Sequence, residues 1–195
     1  MSESAIRVVA AVMASANVAL VILVLLWERP GRAARLLTPA HWRVPRLGTL
    51  LMVLPLAYPV VAVIAPGWLT WRANTLLHAA GVVLWALGCA GVLWCVRVMR
   101  GQTGADGIVD GHRLVTTGPY RFLRHPMYVA VLVSSGGSAI AIGSYVIAMV
   151  ALVFLPVAIS WAATEERLLA SSDLGQQFKD YERRAGRLVP RLRHR

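Results

Sequence analysis

The sequence predicts an all-α fold: a polytopic membrane protein of five transmembrane helices, with a C-terminal helical hairpin and an amphipathic cytoplasmic tail. Three observations lead to this prediction. Only 15% of the 195 residues are charged, whereas an average soluble domain has about 25%. The mean hydropathy is +0.61. The apolar residues also fall in long uncharged runs, of the length that a bilayer crossing needs, about 20 residues.

The predicted helices follow the uncharged runs in chain order. The last run, residues 126–164, is too long for a single crossing. Gly143 and Ser144 are turn-forming residues near its middle, and they predict a tight turn between two spans. Five spans result, over residues 8–27, 47–71, 73–96, 126–142 and 145–163. Backbone groups in lipid must be satisfied within the segment, so helices are favoured over strands.

Arginine and lysine residues predict the orientation. Apart from Arg7 and Arg72, all arginines and lysines lie in the loop after the first span, in the loop after the third span, or in the tail. Basic residues concentrate on the cytoplasmic side of membrane proteins. The N-terminus is therefore expected outside and the tail in the cytoplasm. The formal charge of +11 indicates attraction to anionic lipid headgroups, and its placement at helix ends argues against a nucleic-acid partner.

The tail after Glu165 predicts one further, amphipathic helix. Leu174, Phe178 and Tyr181 recur at i, i+4 and i+7, which places them on one helix face. Gly175 is expected to interrupt this stripe. A helix of this kind is expected either to lie on the membrane surface or to cap the bundle.

Polar residues from two separate segments are expected to meet at the cytoplasmic mouth. Arg124, His125 and Tyr128 lie at the start of the fourth span, and Glu165 and Glu166 at the end of the fifth. A tight turn joins the two spans, so these ends must lie side by side. Two carboxylates at a helix C-terminus oppose its dipole, which favours a cationic partner from the protein or a ligand. The plainer interpretation is a set of interfacial anchors and a solvated helix end.

This pattern resembles the isoprenylcysteine carboxyl methyltransferase family, which is related to the phospholipid N-methyltransferases. The resemblance covers roughly residues 97–191. It rests on the motif Gly-Pro-Tyr-Arg-Phe-Leu-Arg-His-Pro-Met-Tyr at 118–128, a hairpin, Glu165-Glu166, and then Gly175, Phe178 and Tyr181. It implies an integral-membrane enzyme that uses S-adenosylmethionine and methylates a lipid or prenylated acceptor. It also divides the chain into a three-helix scaffold, residues 1–96, and a cofactor-binding catalytic region, residues 97–195.

The resemblance implies roles for individual residues. The implied cofactor contacts are Gln102, His112, Leu114, Val115, Tyr120, His125, Pro126, Met127, Tyr128 and Glu166. The chemistry of methyl transfer, beside the resemblance, indicates Arg124, His125 and Glu165 as catalytic candidates, and an amine or thiol acceptor would take Glu165 or His125 as its general base. Ala162 stands where the eukaryotic prenylcysteine enzymes have an arginine that contacts substrate. No metal site is predicted.

Two alternatives stand beside this interpretation. Within enzymes, the acceptor is an amine-headed phospholipid or a small thiol. Outside enzymes, the chain is a transporter or another membrane subunit. A transporter is expected to show repeated halves and polar groups at mid-membrane. The predicted spans offer little beyond Asn17, His78 and Ser134-Ser135, and no repeat is visible.

Overall fold

The computed structural model describes residues 2–27, 60, 70–71, 73–99 and 113–191. The helices in these ranges are α1 (Glu3–Trp27), α2 (Thr75–Met99), α3 (Pro126–Ile142), α4 (Tyr145–Ala170) and α5 (Gly175–Arg184), with a 3-10 helix at Gly118–Arg121. The predicted all-helical fold is confirmed for this part of the chain. The second predicted span, residues 47–71, lies outside it apart from Val60, Thr70 and Trp71.

Three of the described helices have the length and composition of membrane spans. They are α1 over Glu3–Val24, α2 and α4. Helix α3 is also apolar but has 17 residues, which gives about 25 Å at 1.5 Å per residue, slightly less than a bilayer core of about 30 Å. The chain is therefore an integral membrane protein, as predicted.

The helices extend past the ends of the uncharged runs. Helix α1 begins at Glu3 rather than at Val8, and α4 continues to Ala170 rather than ending near residue 163. Hydropathy marks the apolar thickness of a bilayer, whereas a helix continues wherever its backbone hydrogen bonds continue. Glu165 and Glu166 consequently lie within α4, and not at its end as the sequence predicted.

The turn between α3 and α4 forms at the predicted residues. Gly143 ends α3 with φ of 70°, in the left-handed region that favours glycine. The side chain of Ser144 then caps α4 by accepting a hydrogen bond from the backbone N–H of Ile147. The backbone N–H of Trp71 donates to the carbonyl oxygen of Gly143 at 2.7 Å. This short turn folds α4 back beside α3, so the start of α3 meets the last turns of α4.

Helices α2 and α3 approach each other at glycines. A Cβ atom at Gly81, Gly88 or Gly137 would lie 2.2–2.4 Å from a backbone nitrogen of the facing helix. Only a residue without a side chain permits such an approach. Small residues at helix interfaces are a common means of packing in membranes, because lipid supplies little hydrophobic force between helices.

Polar side chains within the spans bond to neighbouring helices. Asn17 of α1 is 1% exposed, and the indole N–H of Trp85 in α2 donates to its side-chain oxygen at 3.1 Å. The Nδ1 of His78 lies 3.0 Å from the carbonyl oxygen of Ala141 in α3. These contacts join the helices and satisfy the polar groups, which matches a structural role for both residues.

Candidate functional site

Two backbone segments pair where α3 begins. They are residues 122–125, before α3, and residues 185–187, after α5. The N–H of Arg124 donates to the carbonyl oxygen of Gly186 at 2.7 Å, and that of His125 to the carbonyl oxygen of Arg187 at 3.1 Å. The N–H of Gly186 donates back to Phe122 at 3.1 Å. This pairing carries the C-terminal segment onto the mouth of the α3–α4 hairpin.

Helix α5 caps this end of the bundle, which is one of the two predicted arrangements. Phe178 and Tyr181 are buried and pack against each other and Ala185. The hydroxyl of Tyr181 donates to the carbonyl oxygens of Tyr120 at 2.7 Å and Leu123 at 3.0 Å. Burial raises the pKa of the Tyr181 phenol, so it remains a hydrogen-bond donor at physiological pH.

The prediction that Gly175 interrupts the apolar stripe is wrong. Gly175 is the first residue of α5. A Cβ atom there would lie 2.5 Å from the carbonyl oxygen of Ala170, the last residue of α4. Glycine therefore lets the chain turn from α4 into α5 within a few residues. Phe178 and Tyr181 lie on this helix, and Leu174 is its N-cap residue.

Glu166 is the centre of a charge cluster formed by Arg124, His125, Glu166 and Arg187. Glu166 itself is buried, with 6% of its surface exposed. Arg124 Nε donates to Glu166 Oε1 at 2.8 Å, and His125 Nε2 lies 3.2 Å from the same oxygen. Arg187 Nε donates to Glu166 Oε2 at 3.0 Å, and its Nη2 bonds to that oxygen as well. The protein therefore supplies the cationic partner that the sequence predicted for these carboxylates.

Arg124 also ties the cluster to α5. Its Nη1 donates to the carbonyl oxygens of Glu182 at 3.1 Å and Ala185 at 3.0 Å, and its Nη2 lies 3.4 Å from the Glu182 carboxylate. The side chain of Arg124 is 6% exposed. The contacts of Arg124 with Glu166, Glu182 and Ala185 therefore join the start of α3, the last turns of α4 and the end of α5.

Glu165 lies beside the cluster and is more open. Its side chain is 36% exposed, and its Oε2 lies 3.2 Å from His125 Nδ1. The hydroxyl of Tyr128 donates to its other oxygen, Oε1. The rings of His125 and Tyr128 stack at 5.7 Å, with planes 12° apart. His125 thus bridges the two carboxylates of Glu165 and Glu166.

The environment of His125 favours its protonated form. Burial lowers its pKa, but hydrogen bonds and negative charge from Glu165 and Glu166 outweigh burial and raise the pKa above 6.5. A protonated imidazole donates from both nitrogens, which suits a ring placed between two carboxylates.

The charge on His125 predicts a pH-dependent stability. Since its folded-state pKa is raised, the stabilisation is fully present below about 6.5 and is lost as the pH rises through the higher folded value. The apparent melting temperature of the detergent-purified protein is expected to fall more steeply above pH 6.5 in the wild type than in the His125→Gln variant. Identical pH profiles of the two proteins would contradict this assignment.

The structure brings some implied site residues together and not others. Arg124, His125, Tyr128, Glu165 and Glu166 are in direct contact, as the hairpin predicted. Pro126 and Met127 lie in the first turn of α3, between His125 and Tyr128. Tyr120 is buried just before α3, and its phenol lies close enough to Glu165 and Tyr128 to interact with them electrostatically. Leu114 lies elsewhere and packs against the cluster that contains Phe178 and Tyr181. Val115 is half-buried in the segment before the 3-10 helix, and Gln102 and His112 lie outside the described residues.

Arg187 is the cluster residue that the sequence did not reveal. It is one of many tail arginines, and no local pattern distinguishes it from its neighbours. Its place depends on the backbone pairing of residues 185–187 with residues 122–125. Hydrogen bonds to Glu166 raise the pKa of its guanidinium, so it is charged throughout the physiological range.

The chain is similar to methyltransferases over the part that contains α2 to α4. A model of the phospholipid methyltransferase family matches residues 76–172. This confirms the resemblance at the level of the related phospholipid methyltransferases, over residues that include the two glutamates and the motif at 118–128. The finer resemblance, to the isoprenylcysteine carboxyl methyltransferases, stays a prediction.

Two curated relatives carry the names of metal-resistance proteins. Cobalt-zinc-cadmium resistance protein CzcN of Cupriavidus metallidurans is 35% identical over 124 residues, which is 63% of this chain and 53% of the relative. Nickel-cobalt-cadmium resistance protein NccN of Alcaligenes xylosoxydans xylosoxydans is 32% identical over 126 residues, which is 63% of this chain and 54% of the relative. The chain thus spans about half the length of the curated relatives it matches.

Proposed function

We propose that this chain is a membrane-embedded methyltransferase that uses S-adenosylmethionine and acts on a lipophilic acceptor. The observation that carries the proposal is the charge cluster around Glu166, with Glu165 beside it, within helices that match the phospholipid methyltransferase model. Ionisable groups at the edge of an apolar bundle are costly and are typical of functional sites.

The residues of the cluster fit the amino-acid part of the cofactor. S-adenosylmethionine carries a carboxylate and an ammonium group. Arg187 has a side chain that is 42% exposed, so its guanidinium is open to a ligand and suits the carboxylate. Glu166 supplies the negative charge beside it that suits the ammonium, because each carboxylate oxygen accepts more than one hydrogen bond. Arg124 and His125 hold Glu166 in place.

The chain's own contribution to methyl transfer is placement and proton removal. A bound cofactor would supply an electrophilic methyl group, and breaking its S–CH3 bond would leave a neutral thioether. Positioning two reactants is worth up to about 7–11 kcal/mol in favourable cases. Tyr128 and His125 fix both oxygens of Glu165, and this half-exposed carboxylate is placed to take up the proton that an ammonium or thiol acceptor loses.

The surroundings of Glu165 favour an amine-headed lipid as acceptor. Ala162, one turn before Glu166, is fully buried and offers no cation for a prenylcysteine carboxylate. Glu165 is negatively charged, so it repels a carboxylate and attracts an ammonium. The aromatic rings of Tyr128 and Trp161 lie next to each other, with centroids 6.0 Å apart, and aromatic faces also favour cationic groups. The name of the matched family, phospholipid methyltransferase, agrees with this acceptor.

The site is proposed to face the cytoplasm, with the N-terminus outside. Ala10 and Met13 of α1 pack with Ile142 and Ile147, so α1 begins at the Gly143 end of the bundle. The charge cluster lies at the opposite end, which carries most of the described basic residues, whereas Arg7 lies near the start of α1. This asymmetry is what the positive-inside rule expects.

Transfer of a labelled methyl group tests the proposed reaction. The purified protein receives labelled S-adenosylmethionine together with phosphatidylethanolamine, a farnesylcysteine analogue or a long-chain thiol. We expect label in phosphatidylethanolamine. The Glu165→Gln variant is expected to lower the rate by about 10²-fold or more, because it removes the proton acceptor.

The Asp180→Asn variant is the matched control, because it neutralises a half-exposed carboxylate on α5 away from the cluster. It is expected to retain the wild-type rate. Equal rates in the wild type and the Glu165→Gln variant would remove Glu165 from the reaction. Failure to label any acceptor by a correctly folded wild type would contradict the proposed activity.

A further inference from the structure

A cavity of about 380 Å³ lies between the 3-10 helix and the C-terminal segment. Its lining shares no residue with the charge cluster. Thr116, Arg121 and Phe122 line one side, and Tyr181, Arg184 and Arg191 line the other. Three arginines thus surround one cavity that no Asp or Glu of the described residues lines.

The three cavity arginines, Arg121, Arg184 and Arg191, keep donors available for a ligand. Arg184 Nε donates to the carbonyl oxygen of Asp180, and Arg191 Nη1 to that of Arg183, each at 3.1 Å. The Arg121 guanidinium lies 4.8 Å from the centre of the Phe122 ring. None of the three forms an ion pair with a carboxylate of the described chain. A guanidinium has five N–H donors, so several are left for an anion with more than one oxygen, such as a phosphate.

The position of the cavity favours a lipid phosphate over a soluble one. Phe122 is 52% exposed and Val189 is 76% exposed. Both lie in segments that line or adjoin the cavity, at the end of the bundle where the apolar helices stop. Exposed apolar side chains beside basic ones are typical of segments that lie in the headgroup region of a membrane.

We propose that this cavity binds the headgroup phosphate of an anionic phospholipid. The cavity arginines contact the phosphate, while Phe122 and Val189 enter the acyl boundary. Such a contact would hold the loop before α3 and the segment after α5 against the membrane surface. The inference stands independently of the methyl-transfer proposal, because it uses none of the cluster residues.

Lipid binding to the full-length protein in neutral detergent tests this site. Native mass spectrometry counts bound phosphatidylglycerol, with phosphatidylcholine and inorganic phosphate as separate arms. We expect the wild type to prefer phosphatidylglycerol. The double variant Arg184→Gln/Arg191→Gln is expected to bind it about 25-fold more weakly, because one arginine near a membrane surface contributes about 1 kcal/mol, or about fivefold.

The Arg183→Gln variant is the matched control. It makes the same charge change on α5, but Arg183 pairs with Asp180 at 3.7 Å and does not line the cavity. Its affinity is expected to stay within about twofold of the wild type, as for an exposed ion pair. Arg121→Gln, on the opposite wall, provides an independent variant if the double variant unfolds. Its affinity for phosphatidylglycerol is expected to fall about fivefold, the effect of losing one arginine.

Three results would overturn the proposal. An equal loss of phosphatidylglycerol affinity in the Arg183→Gln variant and in the cavity variants would show only diffuse attraction to a charged surface. Equal binding of phosphatidylglycerol and phosphatidylcholine would show that an anionic headgroup is not selected. Inorganic phosphate bound as tightly as phosphatidylglycerol would assign the cavity to a soluble anion instead.

Discussion

Replacing Glu166 by glutamine is expected to cost about 3–5 kcal/mol of folding stability, because the buried guanidinium of Arg124 loses its closest charge partner and keeps only the more exposed carboxylate of Glu182 at 3.4 Å. Glu166 is also the residue on which His125 and Arg187 converge. The same change should therefore loosen the contact between the C-terminal segment and α4. The measurement is the apparent melting temperature of the protein in detergent, compared with the wild type.

The Arg187→Gln variant separates the buried contact from the exposed one. The side chain of Arg187 is 42% exposed, against 7% for Glu166, so its loss is expected to lower the melting temperature much less. Asp180→Asn serves as the control for removing a carboxylate. A Glu166→Gln protein with the wild-type melting temperature would show that the cluster does not stabilise this end of the bundle.

The second large effect is expected at Gly137, where α2 and α3 are in backbone contact. A Cβ atom at this position would lie 2.2 Å from the backbone nitrogen of Trp85. Gly137→Ala therefore forces the two helices apart, and we expect a cost of about 3 kcal/mol or more, at the upper end of overpacking effects. The measurement is again the melting temperature, together with the yield of monodisperse protein.

The neighbouring glycine supplies a matched control. Nothing lies within 4 Å of a Cβ atom built at Gly136. Gly136→Ala is therefore expected to be neutral or to stabilise the helix by up to about 1 kcal/mol, because alanine has the higher helix propensity. Equal melting temperatures of the two alanine variants would contradict the close approach of α2 and α3.

The hairpin and much of the candidate site were predictable because local signals determine them. Gly143 and Ser144 divide an uncharged run that is too long for one crossing, and a tight turn at that point leaves one arrangement for its two ends. The contacts of His125 with Glu165 and Glu166 follow from that topology alone. The roles of these residues in catalysis stay predictions until activity is measured.

Other features were not predictable because they depend on contacts between distant segments. Arg187 reaches Glu166 only because residues 185–187 pair with residues 122–125. Gly175 was expected to interrupt the apolar stripe, because its close approach to Ala170 at the start of α5 is not visible in the sequence. The end of α4 was placed too early because hydropathy falls where the membrane ends, although the helix continues to Ala170.

Binding of S-adenosylmethionine to the purified protein tests the central claim most directly. Isothermal titration calorimetry is expected to show saturable binding at one site in the wild type. Arg187→Gln is expected to weaken it by about 10- to 100-fold, the value of a hydrogen bond to a charged group, while Arg183→Gln leaves it unchanged. A folded wild-type protein that binds no S-adenosylmethionine, or an Arg187→Gln variant that binds it with wild-type affinity, would contradict the proposed site.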